Sequence, residues 1–124
     1  VLYLCCCFKT FSSIFTVFAE VKTVTGNRGG DAVLPCNTEA HEDSRATVFW
    51  RYKTNIIVHS VNDGVENLSQ QDSRFKNRTR MFPNEFRQGK FSLELSRLQD
   101  NDTGSYTCYI PSKSFQEHIE LNVT

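Results

Sequence analysis

The chain has 124 residues, its 14 Lys and Arg balanced by 14 Asp and Glu, and 39% of it is hydrophobic. That length holds one ordinary domain and not two. Even charge excludes the basic footprint of a nucleic-acid binder or of a protein that clings to anionic lipid, while ten Phe supply material for a core.

The first element is the run VLYLCCCFKTFSSIFTVFA, residues 1–19, with one charge, Lys9, then an apolar stretch from Phe11 to Phe18 and a small-x-small ending, Val17-Phe18-Ala19. It predicts a secretory signal cleaved after Ala19, N-terminally incomplete because no Met opens it. A membrane anchor is the rival reading, but Lys9 splits the run into pieces shorter than the roughly 20 residues a bilayer requires. Cleavage would remove Cys5, Cys6 and Cys7, which would be palmitoylation candidates only if retained. The domain, 20–124, then keeps Cys36 and Cys108, an even number suited to an oxidising compartment.

Past residue 19 short alternating segments are separated by turn residues, and no long helical period appears. EVKTVT reads as an edge strand, NRGG (27–30) as a turn, and DAVLPC as a strand into Cys36. After the polar loop NTEAHEDSRA, TVFWRYK puts Val48, Trp50 and Tyr52 on one face. IIVHSV is another strand, NDGVENLSQQDS a polar connection, and RFKNRTRMF runs to Pro83. KFSLELS alternates cleanly, with Phe91, Leu93 and Leu95 inward. SYTCYI follows, and HIELNV points Ile119, Leu121 and Val123 inward. Eight or nine such strands predict an all-β sandwich of two antiparallel sheets.

The stretch DTGSYTC, Asp102 to Cys108, refines this. Cys36 and Cys108 lie roughly 70 residues apart, and Trp50 comes 14 positions after the first of them, where an indole can pack on an inter-sheet disulfide. Tyr106 shares the face of Cys108, and its hydroxyl can bond back to the preceding backbone. Gly104 allows the tight turn into that strand. Asp102, at the sandwich edge, needs a cation, and Arg78 is the candidate. Cys…Trp…Asp-x-Gly-x-Tyr-x-Cys in this order defines an immunoglobulin sandwich, and the room between Trp50 and RFKNRT accommodates the extra C′ and C″ strands of a variable-type (V-set) domain.

The segment KNRTRMFPNEFRQGKFSLELSRLQDNDTGSYTCYI resembles the V-set domains of the butyrophilin and T-cell costimulatory ligand family, which includes the programmed-death ligands and myelin oligodendrocyte glycoprotein. The likeness covers about residues 26–123 and is most specific from Asn77 to Ile110. The last strand, SFQEHIELNVT, lacks the F-G-x-G bulge of antigen-receptor domains. The resemblance implies a cell-surface recognition domain, on the outer face of the plasma membrane, that binds another immunoglobulin-type protein on T cells or leukocytes. It further implies that the front sheet makes the contact. Homophilic adhesion is the alternative.

By the two-residue period, Phe49, Arg51 and Lys53 point away from the core opposite Trp50, and Thr107 and Tyr109 do so opposite Tyr106 and Cys108. Phe, Tyr and Arg are the residue types that anchor protein interfaces. The competing reading is that Ile56 or Val58 of the next strand, or the last strand, covers the two aromatics. The loop PSKSF (111–115) would form the rim. Four N-x-S/T sequons, at Asn67, Asn77, Asn101 and Asn122, are the expected N-glycosylation sites, with Asn67 beside this face.

Chemistry of other kinds finds no footing in the sequence. DNDTG places its Gly at the fifth position of an EF-hand register and Pro111 at the twelfth, where a Glu is needed. GNRGG lacks the Lys-Ser/Thr of a phosphate loop. His41, His59 and His118 are scattered, with no cysteine free to join them at a metal. No G-x-S-x-G element exists. The alternate cations Arg74, Lys76, Arg78 and Arg80 read as a solvated strand, with Arg78 engaged by Asp102, before they read as a heparin or sialic-acid site. The expectation is a non-enzyme with no cofactor, no metal and no small-molecule substrate.

Overall fold

The computed structural model describes residues 21–39 and 45–124. The expected signal at 1–19 lies outside them. Nine strands are found among the described residues: β1 Lys22–Gly26, β2 Ala32–Leu34, β3 Val48–Tyr52, β4 Ile56–Asn62, β5 Val65–Glu66, β6 Thr79–Arg80, β7 Leu93–Leu95, β8 Gly104–Ile110 and β9 Phe115–Val123. They form a front sheet in the order β1-β9-β8-β3-β4-β5 and a back sheet in the order β2-β7-β6. All neighbours pair antiparallel except β1, which runs parallel to β9 along the front-sheet edge.

Period-two patterning builds the core. Trp50, Tyr106, Cys108, Ile119 and Leu121 from the front sheet and Leu34, Leu93 and Leu95 from the back are wholly buried. Cys36, just past β2, is bonded to Cys108 of β8, so the disulfide ties the two sheets through the core. The indole Nε1 of Trp50 donates to the Phe91 carbonyl at 3.0 Å, which satisfies its one polar atom inside the apolar interior.

The run RFKNRTRMF departs from the solvated strand expected of it. Ser73–Phe75 is a 3-10 turn that drives Phe75 into the core, and Asn77 takes a left-handed φ of 63°. Only Thr79 and Arg80 pair with β7. Alternation therefore fails across it. Arg78 is buried, Arg80 is exposed beside Glu94 at 3.0 Å, and the Arg74 guanidinium lies 4.6 Å and 5.0 Å from the rings of Tyr52 and Phe75. A second 3-10 turn, Pro83–Gln88, buries Phe86. The polar connection after β4 contains β5, which pairs with the end of β4.

Below the disulfide, Arg78 reaches Asp102 with two hydrogen bonds, Nη1 to Oδ2 at 2.8 Å and Nη2 to Oδ1 at 3.0 Å. Its remaining protons go to the carbonyls of Arg74, Ser96 and Arg97. The Gln99 amide donates to Asp102 Oδ2 at 2.8 Å, and the Tyr106 hydroxyl donates to the Asp102 carbonyl at 2.6 Å. Burial alone raises the Asp102 carboxyl, but the bonds from Arg78 and Gln99 and the charges of Arg78 and Arg74 outweigh it and hold the carboxyl below its ordinary range. Gly104 has a further role beyond turning the chain. At φ 145° a Cβ there would come 2.8 Å from the Tyr52 hydroxyl, which donates to the Thr103 carbonyl at 2.7 Å.

His59 of β4 is fully buried. Its Nδ1 lies 2.8 Å from the Thr79 hydroxyl of the back sheet, and its Nε2 lies 2.9 Å from a Glu66 carboxylate oxygen on β5, off the line of a straight hydrogen bond. Gln71 closes the cluster, donating to Thr79 Oγ1 and the Val58 carbonyl. Burial pushes the imidazole below its ordinary value, more strongly than Glu66 raises it. The unfolded chain therefore takes up a proton at a higher pH than the folded one. His59 thus favours folding above its unfolded value near about 6.5, and this contribution is lost as pH falls from there toward the folded value. Thermal melts at pH 7.5 and 5.5 should show a larger drop for the native protein than for His59→Gln; equal drops would remove His59 as the cause.

Candidate interaction face

Outward residues of β3, β4, β8 and β9 form the front face. Phe49 pairs directly with Tyr109 across β3 and β8, and Arg51 pairs with Thr107. All four are half-buried, whereas Lys53 is exposed in the turn after β3. The Arg51 guanidinium lies 5.7 Å from the Phe49 ring centroid and 5.9 Å from that of Tyr109, within cation–π range of both. Its Nε is shielded from solvent and makes no hydrogen bond. The five expected contact residues thus lie at one surface, with Phe49, Thr107 and Tyr109 beside Arg51 and Lys53 at the lower end.

The neighbouring strand differs from expectation, and the cause is a bulge. Register shifts between Trp50 and Arg51, so that Phe49 faces Ser60 while Arg51 faces Ile57. Val58 is buried, and Ile56 packs against the core from its margin, so neither covers the aromatics; Ile57 is the β4 apolar residue on the face. Phe115, expected at the rim, likewise packs against the core.

Two shallow hollows flank Arg51. One, of about 260 Å³, lies toward β4 and β5 and is lined by Phe49, Ile57, Ser60, Asn62, Asn67 and Gln70 as well as Arg51. The other, of about 180 Å³, lies toward β9 and adds Lys53, Thr54, Thr107, Tyr109, Gln116 and His118. His118 Nδ1 lies 3.0 Å from the Thr107 hydroxyl. Two cations and no carboxylate line these hollows. Gln116 and His118 were legible from the inward parity of Ile119 and Leu121. Ser60 and Ile57 were not, because no residue type marks the bulge.

The sequon asparagines Asn67, Asn77, Asn101 and Asn122 are all exposed. Among the described residues there is no group of three or more His, Cys, Asp or Glu able to hold a metal ion, and no helix is long and apolar enough to cross a membrane.

A disulfide-bridged sandwich with β4 and β5 extending its front sheet is a variable-type immunoglobulin domain. Comparison places it within a family: residues 20–124 match the Immunoglobulin V-set domain, and the chain belongs to that family. It is 38% identical over 87 residues to HERV-H LTR-associating protein 2 of Homo sapiens, covering 70% of this chain and 20% of that protein. It is 38% identical over 108 residues to V-set domain-containing T-cell activation inhibitor 1 of Rattus norvegicus, covering 84% of this chain and 38% of that protein. Both spans are well under half of the relative's length. Among solved structures, the human B7-H4 IgV-like domain superposes with a TM-score of 0.75 at 30% identity, covering 84% of this chain and 94% of that one. The complex of ICOS with ICOS-L and an anti-ICOS-L VNAR domain gives 0.73 at 25% identity, covering 84% and 55%. The T-cell activation inhibitor and the IgV-like domain are immune immunoglobulin proteins, in line with the resemblance carried by residues 77–110.

Proposed function

We propose that this domain is a recognition module on the outer face of the plasma membrane, that it docks its front face onto an immunoglobulin-type protein of T cells or other leukocytes, and that it modulates T-cell receptor signalling and cytokine production. One observation carries the reading: Phe49 and Tyr109 bracket an Arg51 that has no carboxylate partner among the described residues and a buried, unbonded Nε. A surface that is apolar, aromatic and short of one anionic partner is built for contact, since a partner can desolvate the rings and satisfy the guanidinium together. Relatives named for inhibition of T-cell activation, and a neighbour solved within the complex of ICOS with ICOS-L, support the class of partner. The role is binding without catalysis, cofactor or small-molecule substrate.

The test is binding of the multimerised, glycosylated protein to leukocytes and to itself, beside a Phe49→Ala/Tyr109→Ala variant. Saturable T-cell binding reduced at least about tenfold in the variant is expected. Self-association without leukocyte binding would establish the homophilic adhesion reading instead. Binding untouched by the double substitution would move the contact off this face.

A further inference from the structure

We propose that an N-linked glycan on Asn67 seats in the hollow between β3, β4 and the β5 edge, covering the β4 side of Phe49, and leaves the rest of the front face, from the Arg51 side of Phe49 across Tyr109 to β9, open to a protein partner. The confinement of docking rests on the binding role proposed above; the seating of the glycan does not.

The acceptor is held at the rim of its own seat. Asn67 lies just beyond β5, and its backbone amide donates to the Ser60 carbonyl of β4 at 2.9 Å. Its side chain lines the hollow beside Phe49, Ile57 and Ser60. Within the sequon, Asn67 Oδ1 accepts from the Ser69 amide at 3.1 Å and from the Ser69 hydroxyl at 2.7 Å. That leaves Nδ2, the atom that carries the sugar, as the free end of the side chain.

The seat suits a saccharide. At about 260 Å³ the hollow is smaller than a typical ligand pocket of roughly 300–1,000 Å³, room for the ring that begins a glycan and little more. Phe49 and Ile57 offer apolar surface to the C–H face of a pyranose. Ser60, Asn62 and Gln70 offer hydroxyl and amide groups to its polar substituents.

The edge beside it needs cover, independently of any partner. β5 is a two-residue strand at the free margin of the front sheet, too short to template another chain, and it is the apolar side chains around it that lie open. Val65 and Leu68, which flank Asn67, are 68% and 41% exposed and are two of the four large hydrophobics exposed among the described residues. A glycan rooted between them shields both. Toward β9, none of the four sequon asparagines lines the hollow beside Tyr109 and His118, so that side stays open.

Hydroxyl-radical footprinting of the protein secreted from mammalian cells tests this without a partner. Three forms are compared: wild type, wild type after native enzymatic deglycosylation, and Asn67→Gln. The peptide holding Asn67 should carry glycan, and Phe49 and Ile57 should oxidise at least threefold faster in both forms that lack it. Tyr109 and His118 should not change. Deglycosylation of the folded wild type gives the comparison even if the variant misfolds. An unmodified Asn67, or equal oxidation of Phe49 with and without the glycan, would overturn the proposal. Because no leukocyte is involved, failure here leaves the proposed binding role standing, and failure of cell binding leaves this result intact.

Discussion

Arg78→Met should lower the unfolding free energy by about 3–5 kcal/mol, the usual cost of stripping one partner from a buried ion pair. Asp102 is fully buried, and Arg78 supplies both of its short side-chain charge contacts, at 2.8 and 3.0 Å. Arg74, at 3.7 Å, is too far to replace a two-bond contact. The Arg78 guanidinium also serves three carbonyls, so methionine leaves those acceptors short as well. Acid should reveal the same linkage. A carboxyl held below its ordinary value contributes stability above the unfolded value, and that contribution is lost as pH falls through the folded one. Urea unfolding of native and variant protein at pH 7 and pH 3 should therefore give a large difference at neutrality that narrows in acid. A constant difference would mean that packing, and not the ion pair, is what the arginine provides. Asp102→Asn with Arg78 intact isolates the charge, because it keeps the shape and removes the anion.

Why the sequence reported this much of the molecule, and no more, follows from what residue patterning encodes. Alternation marks which side chains a strand turns inward, so Val48, Trp50 and Tyr52 were legible, as were Leu93 and Leu95, and their outward neighbours Phe49, Arg51 and Tyr109 came with them. The spacing of Cys36, Trp50 and Cys108 added the fold, because an indole between two distant cysteines packing on a bridge that ties two sheets is a hallmark of the immunoglobulin sandwich. Patterning carries no information about register. The bulge that turns Ile57 outward and Val58 inward comes from how β4 sits against β3, a relation between segments. The RFKNRTRMF run misleads for a related reason: one left-handed residue, Asn77, resets the parity of everything after it. The pairing of Arg78 with Asp102 is legible nonetheless, because a buried acid demands a cation whatever the local backbone does.

The proposed binding role sits on this frame without loosening it. Every core residue in β3 and β8 is wholly or almost wholly buried, so the outward residues ride on a rigid support, and Phe49, Arg51 and Tyr109 are held within reach of one another before any partner arrives. Preorganisation of that kind lowers the side-chain entropy lost on docking, which is where much interface affinity is forfeited. It also separates two classes of substitution. Changes at Phe49 or Tyr109 should alter binding and leave melting temperature nearly unmoved, whereas changes at Trp50 or Tyr106, only a few positions along the same strands, should do the reverse.

Cys108→Ser should cost about 2–5 kcal/mol and sharply reduce secretion. The bond closes a loop with a sequence separation of 72, and treating it as lost chain entropy gives about 4 kcal/mol. A domain of this size holds only on the order of 5–15 kcal/mol in all, so the substitution takes a large fraction of the total. With about 4–8 °C of melting temperature lost per kcal/mol in a domain near 100 residues, the midpoint should fall by about 10 °C or more. The loss should lie at the upper end of the range of about 2–5 kcal/mol, because the introduced hydroxyl and the freed Cys36 thiol would both sit where there is no solvent access, and an unpaired hydroxyl there costs more than the sulfur it replaces. Cys36→Ala/Cys108→Ala separates the two effects: it removes the bridge without adding a polar atom, and should be less destabilised than the single serine variant. If Cys108→Ser instead secretes and melts like the parent, the bond does not hold the sheets together and the core packing alone suffices.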